Sequence, residues 1–143
     1  MRHGPAITYR LNEDHWLVRR GLRPLFDAEA GFFAEVGEAV QKAAGARVRS
    51  VVLFGSMARG EAGPESDIDL LCLTASAAAS AEAERNLAEA TAGLRRQFGR
   101  RFSLMVLPAV EFARRYRRRD GLAREIVEAG WVIAGESLSE VLR

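Results

Sequence analysis

Val51-Val52-Leu53-Phe54-Gly55-Ser56-Met57-Ala58-Arg59-Gly60-Glu61-Ala62-Gly63-Pro64-Glu65-Ser66-Asp67-Ile68-Asp69-Leu70-Leu71-Cys72-Leu73 passes from one apolar stretch to another through a polar loop. The residues before Gly55 predict a strand, Gly55-Ser56 predicts a turn, and a second strand opens with Asp67 and Asp69. Side chains at i and i+2 of a strand share a face, so the two carboxylates project together. A glycine turn facing them lets phosphate oxygens approach the backbone. Mg²⁺ is usually held by one or two protein carboxylates together with phosphates and waters. In two-metal phosphoryl transfer the ions sit about 3.5–4 Å apart and clamp the attacking and leaving oxygens. Paired carboxylates on one face suit that chemistry. On this reading Gly55 leaves room for a triphosphate and the Ser56 hydroxyl donates to a phosphate oxygen. Arg59 either adds a charge-assisted contact or locks the loop by pairing with Glu61, Glu65 or a carbonyl. Gly60, Gly63 and Pro64 are turn residues that reverse the chain and bring the second strand beside the first.

Phe54-Gly55-Ser56-Met57-Ala58-Arg59-Gly60, followed by Ser66-Asp67-Ile68-Asp69-Leu70, resembles the signature of minimal nucleotidyltransferases of the DNA polymerase β superfamily. That signature is a G-S-x-A-R-G turn followed by S-D-x-D-L, and every fixed position is matched. Turn, spacing and strand context agree, which makes the pattern specific, and the likeness extends over roughly residues 30 to 135. It implies an α/β (α+β) fold, a small mixed β-sheet with helices packed on it. The implied activity is Mg²⁺- or Mn²⁺-dependent transfer of a nucleoside monophosphate from ATP or another nucleoside triphosphate to a hydroxyl of a protein or small molecule. Carried over by position, Asp67 and Asp69 are the catalytic metal ligands. Gly55, Ser56, Arg59 and Ser66 form the nucleotide side. Small stand-alone members often pair with an HEPN-type protein in toxin–antitoxin systems, so the resemblance also implies a protein acceptor or partner.

One position departs from the pattern. Fully active members carry a third carboxylate on the next core strand. Here that strand reads Arg101-Phe102-Ser103-Leu104-Met105-Val106-Leu107, with Ser103 at the expected place. A serine supplies neither a formal charge for a metal nor an unaided general base. Glu111 follows Pro108 on a predicted helix and is a poor substitute. The alternative function is therefore a nucleotide-binding regulatory or antitoxin-type module with weak or no turnover. A third possibility is an interaction module with a vestigial site.

Composition bounds the rest. The 143 residues are 48% hydrophobic with a formal net charge of +2, enough for one core and too little charge to argue nucleic-acid binding. A domain of this size buries about 68–70% of its unfolded surface. A single cysteine excludes an internal disulfide, and Cys72 alternates with Ile68 and Leu70 as a core thiol. No apolar run reaches the roughly 18 residues of a membrane span, and no charged-then-apolar leader opens the chain. The expectation is a cytoplasmic protein with no membrane partner. His3 and His15 lack companions at metal-ligand spacing, so zinc is not expected. The arginines from Arg95 to Arg119 read as a solvated helix face, because interleaved aromatics are wanting.

Periodicity predicts a helix over residues 22–44, with Leu25, Phe26, Phe33, Val36 and Val40 on its apolar face and Gly45 as its stop. Strands are expected at 47–54, 68–74, 101–107 and 131–134, and a short one at 6–11. Helices are expected at 80–98, 109–119 and 122–129, with Gly99 and Gly130 as stops and 75–83 as a connector. Ser137 and Glu140 fit a capping box. Residues 1–21 read as an N-terminal extension and 22–143 as the nucleotidyltransferase domain. Tyr9-Arg10-Leu11-Asn12-Glu13-Asp14-His15 and Leu25-Phe26-Asp27-Ala28-Glu29 resemble the junction after a winged-helix domain in longer bacterial chains, so DNA would be met only through such a separate domain. A homodimer is a further expectation, since a small sheet leaves apolar surface to cover.

Overall fold

The structure is a computed structural model that describes residues 10–45 and 47–143. It divides into two compact units, Met1–Phe32 and Phe33–Arg143. The boundary between these units falls inside the first long helix. The strand expected at 6–11 lies largely outside the described residues.

In the first unit Asn12 forms an Asx turn, accepting from the Asp14 N–H at 3.2 Å. A π-helical segment, Val18–Leu22, runs directly into α1 (Arg23–Ala44). Leu25 and Phe26, expected on an apolar core face, are instead 64% and 56% exposed. Spacing alone assigned them inward; the buried stripe of α1 begins only at Val36 and continues through Val40 to Ala44.

The second unit is built on a four-stranded sheet of order β3-β2-β1-β4. Its strands are β1 (Val48–Phe54), β2 (Ile68–Thr74), β3 (Phe102–Pro108) and β4 (Trp131–Gly135). β1 pairs antiparallel with both β2 and β4, while β2 and β3 are parallel. The mixed sheet expected from the sequence is thus present. β1 and β2 read as nearly continuous apolar runs because both faces are covered, and Val51, Val52, Leu53, Leu70, Leu71 and Leu73 are fully buried. The parallel pair needs a long crossover, which α3 (Ala77–Phe98) supplies. That helix starts three residues earlier than periodicity indicated: Ser76 caps it, accepting from the Ala79 N–H at 3.2 Å. Part of the expected connector is therefore helix, as its alanines favour.

Three helices follow β3: α4 (Ala109–Arg117), α5 (Gly121–Ala129) and the short α6 (Leu138–Val141), with a one-turn helix α2 (Gly55–Ala58) earlier in the chain. The strands and helices predicted from residue 22 onward occur in the expected order, with α2 formed where a turn was expected, and α6 opens with the expected Ser137–Glu140 capping box. Val52, Leu71 and Leu73 share one core cluster with Phe112, Ala123, Ile126 and Val141, so α4, α5 and α6 cover that face of the sheet. Ile68, Leu70 and Cys72 alternate to the opposite face. There burial pushes the Cys72 thiol up to about 12, consistent with a core thiol and no nucleophile. No described helix is long and apolar enough to cross a membrane.

Two contacts fix the β4 edge. Arg49 on β1 donates through Nε and Nη2 to the Glu136 carboxylate, the latter at 2.5 Å, and these hydrogen bonds hold Glu136 below the usual carboxylate range. On α1, a Cβ added to Gly37 would lie 2.5 Å from the Ile133 carbonyl oxygen, so only glycine lets the helix approach β4 this closely. Gly37→Ala should destabilise the fold by about 1–3 kcal/mol despite alanine's better helix propensity, because the obstacle is backbone. Gly93→Ala in α3, where a Cβ meets nothing within 4 Å, should be neutral or gain up to about 1 kcal/mol. Thermal melts of the two variants check this; a stabilised Gly37→Ala would show that α1 stands farther from β4.

Candidate nucleotide and metal site

Strand register assembles the site. β1 ends where β2 begins, and Phe54 pairs with Asp69. The next residue, Gly55, therefore turns directly over the start of β2. It sits at φ +71°, a conformation that costs most residues strain and glycine little. A Cβ placed there would lie 2.4 Å from Asp69 Oδ2. Glycine is needed twice over: for the backbone angle, and because the carboxylate occupies the space a side chain would take. The sequence explained Gly55 by room for phosphate; the structure adds that its nearest neighbour is the carboxylate itself.

By alternation Asp69 shares a face with Leu71 and Leu73, the face covered by α4, α5 and α6. Asp67 lies two residues before it, just ahead of the strand. Both carboxylates are half-buried. Arg101 Nε stands 2.9 Å from Asp67 Oδ1, yet that oxygen is buried and accepts no hydrogen bond. The distance is that of an ion pair, and the direction is wrong for a hydrogen bond. A buried carboxylate oxygen without a donor is costly unless a ligand completes it. Among the described residues no group of three or more His, Cys, Asp or Glu side chains could hold a metal ion. Two carboxylates with one orphaned oxygen instead fit a hard cation that brings phosphate and water ligands of its own.

The remaining predicted residues have different places. Ser56 lies in α2, half-buried, where its carbonyl accepts the Glu61 N–H at 2.8 Å; no hydrogen bond to its hydroxyl is found among the described residues. Arg59 adopts the locking role. Its Nε donates to Glu61 at 2.9 Å and its Nη1 to Glu125 on α5. Glu61, first by its hydrogen bond and then by charge, with Glu125 adding, raises the Arg59 pKa above its ordinary value. Ser66 closes the loop, its hydroxyl accepting from the Gly63 N–H at 2.9 Å.

Ser103 is where the sequence placed it. Parallel pairing of β2 and β3 sets it beside Asp69, and it is exposed. Glu111 is spent elsewhere: on α4 it pairs with Arg114 and Arg115. Sequence reasoning missed three residues. Arg100 donates to the Pro64 carbonyl and Arg101 to the Glu65 carbonyl, so the two arginines just ahead of β3 hold the loop before Asp67. Glu125 ties α5 to Arg59. None carries a local signal, because each contact joins segments far apart in the chain.

The sequence model of the nucleotidyltransferase domain matches residues 34–130. Among curated proteins none matches. Solved structures are matched at low identity. One is a crystal structure of a toxin–antitoxin with AMP-PNP, 17% identical over 76% of this chain and 78% of that one, at a TM-score of 0.48. Another is a tri-AMPylated Shewanella oneidensis HEPN toxin in complex with an MNT antitoxin, 16% identical over 78% and 76% of the two chains, at 0.43. A third, a double mutant of the toxin–antitoxin MntA-HpeT, is 16% identical over 73% and 76%, at 0.45. Similarity of this degree says nothing of what this chain binds. The family match spans well over half of the 143 residues, and the chain belongs to the nucleotidyltransferase domain family.

Proposed function

We propose that the chain binds a nucleoside triphosphate, ATP foremost, with Mg²⁺ between the Gly55 turn and the Asp67–Asp69 pair. Its nucleoside monophosphate would pass to a hydroxyl of a protein or small-molecule acceptor. The observation that carries the reading is the approach of Asp69 to Gly55, with an undonated Asp67 oxygen two residues away. Carboxylates and a phosphate-accessible backbone meet there at the end of two paired strands. Asp67 and Asp69 would hold the ion, and Mn²⁺ would suit the same oxygen ligands. When bound, the ion offsets triphosphate charge and polarises the phosphoryl centre under attack. Gly55 admits phosphate oxygens to the turn, and Ser56 has a hydroxyl free to donate to one of them. Arg59 is a positioning residue: its pairs with Glu61 and Glu125 hold the turn in place. Ser66 fixes the loop that delivers Asp67.

Ser103 favours a second reading of the same site. Its register beside Asp69 supports reading this neutral hydroxyl as the stand-in for a third carboxylate that would assist the acceptor. Binding would then outlast turnover, and the chain would act as a nucleotide-binding regulatory or antitoxin-type module, with an HEPN-type protein as its proposed partner.

Calorimetric titration of ATP with Mg²⁺ should show saturable binding by the wild type. The Asp67→Asn/Asp69→Asn double variant should bind at least about tenfold more weakly, a loss of about 1.4 kcal/mol. Equal binding by both would remove the site from these carboxylates. Transfer of label from α-labelled ATP to protein then separates the two readings. Measurable Mg²⁺-dependent transfer by the wild type supports the enzyme. Transfer that arises only in Ser103→Asp, by about 10²–10⁴-fold as for an added general base, assigns the wild type to the binding module.

A further inference from the structure

Arg101 is the one cation that reaches the carboxylate pair in this structure among the described residues. Its backbone is anchored at the start of β3, where its carbonyl accepts the Ile68 N–H at 2.8 Å. The guanidinium lies over the loop, with Nη2 donating to the Glu65 carbonyl at 3.3 Å. Nε then stands 2.9 Å from Asp67 Oδ1 without making a hydrogen bond to it. An arginine built to hold a carboxylate permanently uses its fork, with two parallel N–H···O bonds. Here the contact is off-axis, and the two side chains keep 59% and 43% of their exposure. Such a pair has little holding strength and is screened by salt. Charge neutralisation is present; the strong hydrogen bonds that would make it permanent are not.

We propose that Arg101 is the resident counter-ion of Asp67, a competitor built into the chain that a divalent cation displaces on entering the site. The inference rests on the reading of Asp67 as a metal ligand. A free cation meets a carboxylate that is already neutralised and a positive charge within a few ångströms of its own position. A cation arriving with a triphosphate also brings negative charge, to which the released guanidinium can turn, and its entry is opposed less. The site thereby favours the cation–nucleotide complex over the bare ion. Because the anchoring hydrogen bond to Ile68 belongs to the backbone, replacing the side chain leaves the strand pairing in place.

The test is Mn²⁺ binding without nucleotide at low ionic strength, read from the electron paramagnetic resonance signal of the free ion. Arg101→Gln should bind Mn²⁺ roughly three- to tenfold more tightly than the wild type. Arg101→Lys, which keeps the charge, should stay near the wild type, and Asp67→Asn should lose the binding in both the wild-type and Arg101→Gln backgrounds. Added salt should narrow the gap between wild type and Arg101→Gln. If Arg101→Gln binds no more tightly while Asp67-dependent binding persists, the counter-ion role is overturned and the metal site stands. Arg101→Lys as tight as Arg101→Gln overturns it too, since charge would not be the cause. Absence of any Asp67-dependent binding in all these proteins would overturn the reading of the site itself.

Discussion

The pairing of Phe54 with Asp69 is the constraint on which the rest of the site depends. It sets the end of β1 against the start of β2, so that the chain must turn at the point where a carboxylate emerges. Gly55 accepts both demands, a left-handed backbone and an Asp69 oxygen where a Cβ would be. A register slip of one residue would send Asp69 to the opposite face and Ile68 into its place. The buried runs on both sides of each strand prevent that slip. Leu53, Leu70 and Leu71 have no exposed face to move to.

Around this juncture the chain places its charges in two layers. Asp69 lies against the turn, and Asp67 lies two residues before it beside Arg101. Behind them Arg59, Glu61 and Glu125 join the turn to α5, and Arg100 and Arg101 join the loop to β3. Each outer contact is partly exposed and individually weak, yet together they fix a loop that has no strand pairing of its own. Arg101 belongs to both layers, since one side chain reaches the Glu65 carbonyl and the Asp67 carboxylate. Ser103 lies beside the inner layer and adds no charge to it. On the proposed reading, such a site would hold a cation and phosphate more fully than it would activate an acceptor.

Much of this was legible in the sequence. The strand, turn and strand around Gly55 show themselves because apolar runs, a glycine-serine pair and two spaced aspartates are all local signals. Ser103 was expected on the third core strand from the resemblance alone, and the β2–β3 register that sets it beside Asp69 is a long-range pairing with no local signal. The start of α3 was missed because its alanines look like a connector until Ser76 is seen to cap them. Leu25 and Phe26 share the period of Val36 and Val40, but period cannot say which turns of a long helix have a neighbour. The contacts of Arg59 with Glu125 and of Arg101 with Asp67 cross 66 and 34 positions of sequence (125 − 59 and 101 − 67). Side chains with no local partner pattern give no hint of such pairs.

The most direct test of the account is a crystal structure grown with Mn²⁺ and a non-hydrolysable ATP analogue, with the metal located by anomalous scattering. The account predicts manganese bound to Asp67 and Asp69, with the triphosphate running along the Gly55–Ser56 turn. Manganese and nucleotide bound elsewhere, for example at the arginines of α4, with the Asp67–Asp69 pair unengaged, would contradict it.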